Sequence, residues 1–289
     1  MSIAHDFEEH RRMLEGLAYR MTGELAEAQD IVQETWLRWH RAESDTIREP
    51  RSWLTAVCTR LAIDRSKSAR VRRETYVGEW LPEPLVEEPG PDDRLQIEDS
   101  VSIALMLALE KLSPAERAAF ILHETFGYRM DEVAAILDKS EEACRKLASR
   151  ARTALRVEKP RFHARPEEHR RLLAGFLAAA RSGAVEALEA LLAESVELHS
   201  DGGGRVTTAP GILKGPAEVA AFLAGVWARA RAEGLEFEVE ERWFNGGPGA
   251  VVFAGGQPVA ALRLEVEPGA IHRIYALRNP DKLVSFHRD

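Results

Sequence analysis

The sequence predicts a multidomain protein in which two all-α helical domains are followed by one α+β domain. Apolar residues recur at helical spacing through about residues 5–75 and again through about residues 99–160. Extended runs separated by glycine-rich turns begin only after about residue 165. A chain of 289 residues is long enough for two or three domains. We place the predicted boundaries at 1–76, 77–100 (a linker), 101–160 and 165–289.

Three apolar stripes at helical spacing predict the first helical domain. The stripes consist of Leu14, Leu17, Ala18 and Met21; of Ala28, Val32, Thr35, Trp36 and Trp39; and, after a break at Pro50, of Trp53, Leu54, Val57, Leu61 and Ile63. The following stretch holds Pro82, Pro84, Pro89 and Pro91. Because no regular helix accepts so many prolines, we expect a linker there.

The second helical domain contains a helix start and a helix-turn-helix pattern. Ser113 is followed by Pro114 and by Glu116, a Ser cap with Pro at the first helical position and Glu three residues after the cap. In residues 129–155 one short helix, the turn Asp138-Lys139-Ser140 and a second helix follow each other. The inward positions are Met130, Val133, Ala134 and Leu137 on the first helix and Cys144, Leu147, Ala148, Ala151 and Leu155 on the second. A helical hairpin with a charged outer face is the alternative.

The third segment alternates helical and extended patterns. Helices are expected at about 167–181, 184–193 and 216–233, and the extended runs are Val196–Ser200, Glu236–Phe244, Ala250–Ala254, Pro258–Glu267 and Ala270–Leu277. This order predicts an α+β domain with a mostly antiparallel, curved sheet.

Composition excludes several classes of protein. Apolar residues make up 45% of the chain and charged residues 30%, as in ordinary soluble proteins. The longest apolar run, at 219–228, is about half of what a membrane span needs. The first twelve residues lack the apolar core of a signal peptide, and two cysteines cannot form a disulfide framework. We therefore expect a cytoplasmic protein that does not bind membranes. Without a nucleotide-binding glycine loop or a zinc-ligand cluster, we expect no cofactor and no metal.

The formal net charge of −8 hides two cationic blocks. Residues 60–73 hold six bases and one acid, and residues 140–165 hold eight bases and three acids. Between them, residues 79–99 hold eight acids and one base. Two cationic blocks on separate helical units predict a polyanionic partner.

The helical segments resemble regions of bacterial sigma factors. Residues 26–39 (AEAQDIVQETWLRW) are similar to region 2.2, residues 50–65 (PRSWLTAVCTRLAIDR) to regions 2.3–2.4, and residues 112–152 to region 4. Their order and spacing and the acidic linker resemble the extracytoplasmic-function, or group four, sigma factors, which keep only these two regions. The resemblance covers about residues 7–157.

The resemblance implies a promoter-specificity subunit rather than an enzyme, with core RNA polymerase (its β and β′ subunits) and promoter DNA as partners. A polar stripe would dock on the coiled-coil clamp of β′: Asp30, Gln33, Glu34 and Arg38. The −10 element would be held by a block that includes Arg60, Arg65, Lys67 and Arg70, and the loop 45–53 would capture a flipped base. The −35 element would be read in the major groove by Ser140, Arg145, Lys146, Ser149, Arg150 and Arg152. Trp53 is expected in the core.

The last 125 or so residues resemble the SnoaL-like branch of the NTF2-like cone fold. Three motifs are similar to those of the sigma subgroup with this extension: residues 80–84 (WLPEP), 201–205 (DGGGR) and 279–283 (NPDKL). That subgroup usually has Lys where this chain has Arg205, which puts any Lys-specific role in doubt. The resemblance implies a regulatory latch acting in cis, formed by Trp80, Leu81, Pro82, Asp201, Gly202, Gly203, Arg205, Asn279, Asp281 and Lys282. We expect Arg205 and Lys282 to face Glu79, Glu83 or Glu87, with packing of Trp80 and Leu81 contributing most.

Other interpretations stay open at this stage. DGGGR also fits a tight turn, and NPDKL fits a turn before a terminal helix. Cone folds of this type can enclose a pocket, so the domain could hold an unknown small ligand or be an enzyme, with His199, Asp201, His272 or Tyr275 as a candidate general base. A helix-turn-helix regulator that acts without polymerase is a further alternative.

Overall fold

The computed structural model describes residues 3–42, 47–86, 101–155 and 166–287. The chain forms two compact units. The first, which we call the helical unit, consists of Met1–Thr75 and Ala104–Lys159. The second, which we call the mixed unit, consists of Tyr76–Ile103 and Pro160–Asp289. Tyr76–Ile103, which we call the linker from here on, therefore groups with the C-terminal domain and is slightly longer than the predicted linker 77–100.

The first part of the helical unit has three helices: α1 (Ile3–Thr22), α2 (Leu25–Arg41) and α3 (Pro50–Glu74). The predicted stripes of α1 and α2 are buried except for Trp36, which is partly exposed. Trp53, which was expected in the core, is partly exposed and packs on the buried Trp39, with ring centroids 5.4 Å apart.

The second part of the helical unit holds α4 (Ile103–Glu110), α5 (Pro114–Phe120), a π-helical turn (Ile121–Thr125), α6 (Met130–Leu137) and α7 (Glu141–Leu155). The predicted capping box of α5 is confirmed, because Ser113 Oγ accepts from the Glu116 amide at 3.3 Å and the Glu116 carboxylate accepts from the Ser113 amide at 3.1 Å. Asp138 ends α6 in the left-handed region at φ 53°.

The turn between α6 and α7 completes the predicted helix-turn-helix. Ser140 Oγ accepts from the Ala143 amide at 3.2 Å and so caps α7. Cys144 and Ala148 are fully buried, and the small side chain of Ala148 lets α7 approach its neighbours closely. Burial also raises the pKa of the Cys144 thiol, which fits a structural rather than a reactive cysteine.

The mixed unit combines α8 (Pro166–Ser182), α9 (Val185–Glu189) and α10 (Pro216–Ala232) with one six-stranded sheet. The strands are β1 (Leu192–Asp201), β2 (Leu213–Lys214), β3 (Phe237–Phe244), β4 (Gly247–Ala254), β5 (Gln257–Glu267) and β6 (Ala270–Leu277), in the order β2-β1-β6-β5-β4-β3. β1 and β6 are parallel and all other neighbours are antiparallel, which confirms the predicted sheet.

Several details of this domain differ from the sequence prediction. β1 begins at Leu192, which pairs with Ile271 on β6, so the helix expected at 184–193 ends at Glu189. β2 has only two residues and was not predicted. The segment after Asn279 forms two 3-10 turns (Pro280–Lys282 and Val284–Phe286) instead of a terminal helix.

The two faces of the sheet differ in chemistry. One face packs an apolar cluster against α8–α10, with Leu198, Leu264 and Ile274 at its centre. Strand residues alternate between faces, and paired residues share one. Glu197 pairs with Arg273 and His199 with Tyr275, so these side chains lie on the opposite, polar face.

Candidate functional site

A buried carboxylate on the polar face holds the linker. Asp201 is fully buried and is the last residue of β1, not part of the glycine turn as its motif suggests. Its Oδ1 accepts from the Tyr76 hydroxyl at 2.6 Å and from the Gly203 amide at 2.9 Å. Its Oδ2 accepts from the Leu81 amide at 2.9 Å and from Lys282 Nζ at 2.7 Å. Two linker residues and both C-terminal motifs therefore meet at one side chain.

Lys282 supplies the opposite charge. The residue is 8% exposed, and its Nζ also donates to the Leu81 carbonyl at 2.6 Å. The ammonium lies 4.6 Å from the ring centroid of Trp80 and 5.0 Å from that of Tyr76, so two linker aromatics cover it. A cation desolvated in this way needs the Asp201 carboxylate as its partner.

The glycines and Asn279 bring the two C-terminal motifs together. Asn279 Nδ2 donates to the Tyr76 hydroxyl at 2.9 Å, and the backbone amide of Asn279 donates to the backbone carbonyl of Asp201 at 2.9 Å. Gly203 has φ 59°, and a Cβ there would lie 2.4 Å from Asn279 Nδ2. A side chain at this position would therefore strain the backbone and collide with the asparagine.

The ion pairs expected for the latch are arranged differently. Lys282 pairs with Asp201, because the end of β1 places that carboxylate beside it. Arg205 is exposed and pairs with Asp281 at 3.1 Å. Glu79 instead meets His199, and Glu87 lies outside the described residues. Among the other latch residues, Leu81, Pro82 and Gly202 are buried, as packing of the linker requires.

His199 forms a second contact with the linker that the sequence did not indicate. Its Nδ1 lies 2.6 Å from Glu79 Oε1, and its Nε2 lies 3.5 Å from Glu197 Oε2. The ring lies 5.3 Å from that of Tyr275, whose hydroxyl donates to Glu265 at 3.1 Å. Burial and the Glu265 carboxylate raise the pKa of Tyr275 well above its usual value.

The bonding of the candidate general bases is unfavourable for catalysis. Asp201 accepts four hydrogen bonds, one of them from an ammonium, so both of its carboxylate oxygens are engaged within the protein. His199 is engaged by two carboxylates, and Tyr275 keeps its proton. His272 lies apart, 3.8 Å from Glu267.

Asn245 joins two further points of the linker to the sheet. This buried residue has φ 47°, and its backbone amide donates to the Leu85 carbonyl at 2.9 Å. Its side chain accepts from the Leu85 amide at 3.2 Å and donates to the Val101 carbonyl at 3.0 Å. One asparagine thus holds the described linker residues on both sides of 87–100, which lie outside the described residues.

All predicted −35 residues lie on α7 or its cap, and all are exposed except Arg152, which is partly exposed. Each of the four cations lies near a glutamate. Lys146 pairs with Glu142 at 2.7 Å, and Arg145 pairs with Glu141. Across helices, Arg152 Nε lies 2.6 Å from Glu124, and Arg150 lies 3.9 Å from Glu116. Ser149 lies among them on the same helix and is exposed.

The predicted −10 residues all lie on the exposed surface of α3, but they differ in their partners. Arg65 pairs with Glu27 at 3.1 Å and Lys67 with Asp64 at 2.9 Å. Within the part of the chain that the structure describes, Arg60 and Arg70 have no ion pair. Of the loop 45–53, residues 45 and 46 lie outside the described residues.

The predicted polymerase-binding residues share the exposed face of α2. Asp30, Gln33, Glu34 and Arg38 are all exposed, and Arg38 donates to Glu34 at 3.0 Å. Beside them is a groove of about 230 Å³ between α1 and α2, lined by Arg11, Glu15, Gln29, Val32, Gln33 and Trp36.

A buried ion cluster joins the two parts of the helical unit. Glu110 at the end of α4 pairs with Arg73 of α3 and with Arg117 of α5. Arg117 is 3% exposed, and its Nε donates to the Arg20 carbonyl of α1 at 2.7 Å. Burial lowers the pKa of Arg117, against the raising effect of Glu110. Arg73 belongs to the cationic block of residues 60–73, but its guanidinium forms ion pairs within the protein.

Among the residues that the structure describes, neither a membrane-spanning helix nor a metal-binding group of side chains is present. No helix there is both long and apolar enough to span a bilayer. No group of three or more His, Cys, Asp or Glu side chains there is arranged to hold a metal ion.

Three family descriptions match consecutive parts of the chain. Sigma-70 region 2 matches residues 7–72, and Sigma-70, region 4 matches residues 102–155. The SnoaL-like domain matches residues 173–276.

Two relatives from Mycobacterium tuberculosis are similar over nearly the whole length. ECF RNA polymerase sigma factor SigJ is 37% identical over 289 residues, covering 96% of this chain and 92% of the relative. The probable ECF RNA polymerase sigma factor SigI is 31% identical over 278 residues, covering 95% and 92%. The crystal structure of SigJ superposes with a TM-score of 0.75 at 33% identity, covering 97% of this chain and 98% of that structure.

Proposed function

The chain belongs to the extracytoplasmic-function (ECF) family of RNA polymerase sigma factors, and from this premise we propose that it directs core RNA polymerase to specific promoters. The proposal rests on the exposed cations of α3 and α7 and on the polar stripe of α2. The stripe would bind the β′ clamp, α3 the −10 element and α7 the −35 element. Such a subunit works where the polymerase transcribes, in the cytoplasm.

Simultaneous binding of both elements requires the helical unit to open. Positions −10 and −35 are 25 base pairs apart, or about 85 Å along duplex DNA at about 3.4 Å per base pair. Yet Glu110 joins α3 to α5, and the hydroxyls of Thr55 on α3 and Tyr128 lie 2.8 Å apart. Helices in direct contact cannot span that distance, so the contacts around Glu110 would break when promoter DNA is bound.

The mixed unit would modulate this activity in cis by controlling the linker. Buried and partly buried hydrogen bonds hold linker residues 76–86 to the mixed unit. Their partners there are Asp201, Lys282, His199 and Asn245. The linker also connects the two DNA-binding parts of the chain in sequence. Fixing it limits how far those parts can separate. We propose that this domain is regulatory rather than enzymatic, since its candidate bases are engaged as described above.

Reconstitution with purified core polymerase tests the main proposal. Run-off transcripts from a promoter library are expected only when the chain is added. The double variant Gln33→Ala/Glu34→Ala should weaken association with core polymerase, whereas Glu9→Ala, an exposed acid on α1, should not. Absence of any association between the unaltered chain and core polymerase would overturn the proposal. Operator binding without polymerase would favour an ordinary helix-turn-helix regulator.

Regulation in cis is tested separately in the full chain. Tyr76→Phe keeps the ring beside Lys282 but removes the hydroxyl that bonds Asp201 and Asn279. Transcript yield or promoter preference should change, while Asp281→Asn, which removes an exposed carboxylate, should leave both unchanged. If neither variant changes transcription on many promoters, the regulatory role is wrong. Turnover of a small molecule by the chain would contradict the non-enzymatic role.

A further inference from the structure

The cations proposed to read the −35 element are matched one to one by carboxylates. Glu141 and Glu142 lie in the first turn of α7 and pair with Arg145 and Lys146, each four residues further along. Glu116 of α5 and Glu124 of the π-helical turn approach Arg150 and Arg152 from other helices. Pairs four residues apart are common helix stabilisers, but the contact of Glu124 with a residue 28 positions away is a tertiary one.

On the proposed −10 surface only half of the cations are matched in this way, since Arg65 pairs with Glu27 and Lys67 with Asp64. Arg60 and Arg70 on α3 are exposed and have no ion pair among the described residues. Open cations bind phosphates of any sequence, because their gain comes from the release of counterions. Cations already paired with carboxylates gain less from a phosphate, since each must exchange one anionic acceptor for another. On α7, the helix expected to read the −35 sequence, all four cations have a carboxylate nearby, whereas on α3 two of the four are open.

The first turn of α7 also has a chemistry that matches particular base pairs. Residues near the start of a recognition helix reach base edges in the major groove. There a G·C pair offers the guanine O6 and N7 acceptors and the cytosine N4 donor. An arginine and a glutamate side by side offer donors and an acceptor, so a G·C pair can satisfy both. At a site without the N4 donor, or on phosphates alone, the carboxylate forms no hydrogen bond with the DNA and is repelled by its phosphates.

Building on the proposed function, we infer that Glu141, Glu142 and Glu124 are specificity-determining residues of −35 recognition. They suppress sequence-independent DNA binding by holding Arg145, Lys146 and Arg152 in ion pairs. Glu141 and Glu142 in addition favour G·C pairs at the positions that α7 reads. Glu116 is left out of the set because it also caps α5 through Ser113.

Binding to duplex DNA that lacks a promoter provides the first test. The full chain is compared with the double variant Glu141→Gln/Glu142→Gln and with Glu124→Gln by fluorescence anisotropy at several salt concentrations. The double variant should bind about tenfold more tightly at low salt, and the slope of log K against log salt should steepen by about 2 as two cations are freed. Glu124→Gln should steepen it by about 1. Glu9→Gln/Glu186→Gln changes the charge equally at exposed positions on α1 and α9 and should change neither quantity.

Selection from a promoter library by holoenzymes provides the second test. The double variant should lose enrichment of G·C pairs within the −35 element, and its ratio of promoter to non-promoter binding should fall. The inference is wrong if the variants bind non-promoter DNA no more tightly than the control, or if promoter and non-promoter binding rise by the same factor. Circular dichroism shows whether α7 is retained, and Glu124→Gln leaves that helix unaltered. Should the unaltered chain not bind core polymerase, the proposed function fails, while the anisotropy measurement still decides whether these carboxylates restrain DNA binding.

Discussion

Asp201 and Lys282 form a buried ion pair of 2.7 Å in which neither residue is more than 8% exposed. Both partners also bond the backbone of Leu81, the carboxylate through its amide and the ammonium through its carbonyl. The pair therefore links β1 and the C-terminal 3-10 turn to the linker. Loss of one partner from a buried pair of this kind leaves the other charge buried without a counter-charge.

Replacing Asp201 by Asn should destabilise the mixed unit strongly. The substitution keeps the size of the side chain but leaves Lys282 buried without a counter-charge. We expect the free energy of unfolding to fall by about 3–5 kcal/mol, measured by urea denaturation of the full chain. Asp281→Asn removes an exposed partner of Arg205 and should cost less than about 1 kcal/mol. Equal losses in the two variants would contradict a special role for the buried pair.

Replacing Arg205 by Lys, the residue usual in this subgroup, should have little effect. The Arg205 side chain is 65% exposed and forms an ion pair of 3.1 Å with Asp281. A lysine keeps the charge and can form a similar exposed pair, so the free energy of unfolding should change by less than about 1 kcal/mol. Thermal unfolding and run-off transcription measure the two effects. A changed transcript yield with unchanged stability would indicate that residue 205 contacts another molecule.

The helices and the sheet could be predicted because their signals are local. The Ser113–Glu116 capping box and the apolar stripe of α1 depend only on neighbouring residues, and both are present. The two-residue strand β2 was missed, since a run so short has no periodicity. The start of β1 was misplaced because it depends on pairing with Ile271, which is about 80 residues away in sequence.

The candidate site was predicted only in part. The motifs with Asp201 and Lys282 were found by resemblance, but their pairing with each other depends on tertiary structure. Charge patterning predicted salt bridges to linker acids, and it gave no signal for the contact between His199 and Glu79. Arg73 was counted in the cationic block of residues 60–73, although its guanidinium pairs with Glu110. A charge count does not show which carboxylate a cation meets after folding.

Replacing Glu110 by Gln should loosen the two parts of the helical unit. The variant leaves the buried Arg117 without its carboxylate and removes one partner of Arg73. The free energy of unfolding should fall by about 3–5 kcal/mol in urea denaturation. Glu24→Gln is a graded control, because that more exposed residue also contacts Arg73, at 3.3 Å, and should cost less. The prediction is wrong if Glu110→Gln is as stable as Glu24→Gln.

The stability of the mixed unit should depend on pH through His169. Burial and the nearby Arg263 and Arg170 guanidinium groups lower the pKa of His169 from 6.5 to about 3, and its Nε2 accepts a hydrogen bond of 3.0 Å from Arg263. In the unfolded chain the imidazole takes up a proton near pH 6.5, while in the folded chain it stays neutral down to about pH 3. The unfolded state therefore binds more protons in this window, and stability falls as the pH is lowered through it. Between pH 7.5 and pH 5 the loss from this one group should be up to about 2 kcal/mol. His169→Gln keeps an acceptor for Arg263 but does not titrate, so urea unfolding should show a smaller loss for the variant over the same range. All other side chains are the same in both proteins, and a difference in stability between the two that is constant from pH 7.5 to pH 5 would show that His169 is not the group responsible.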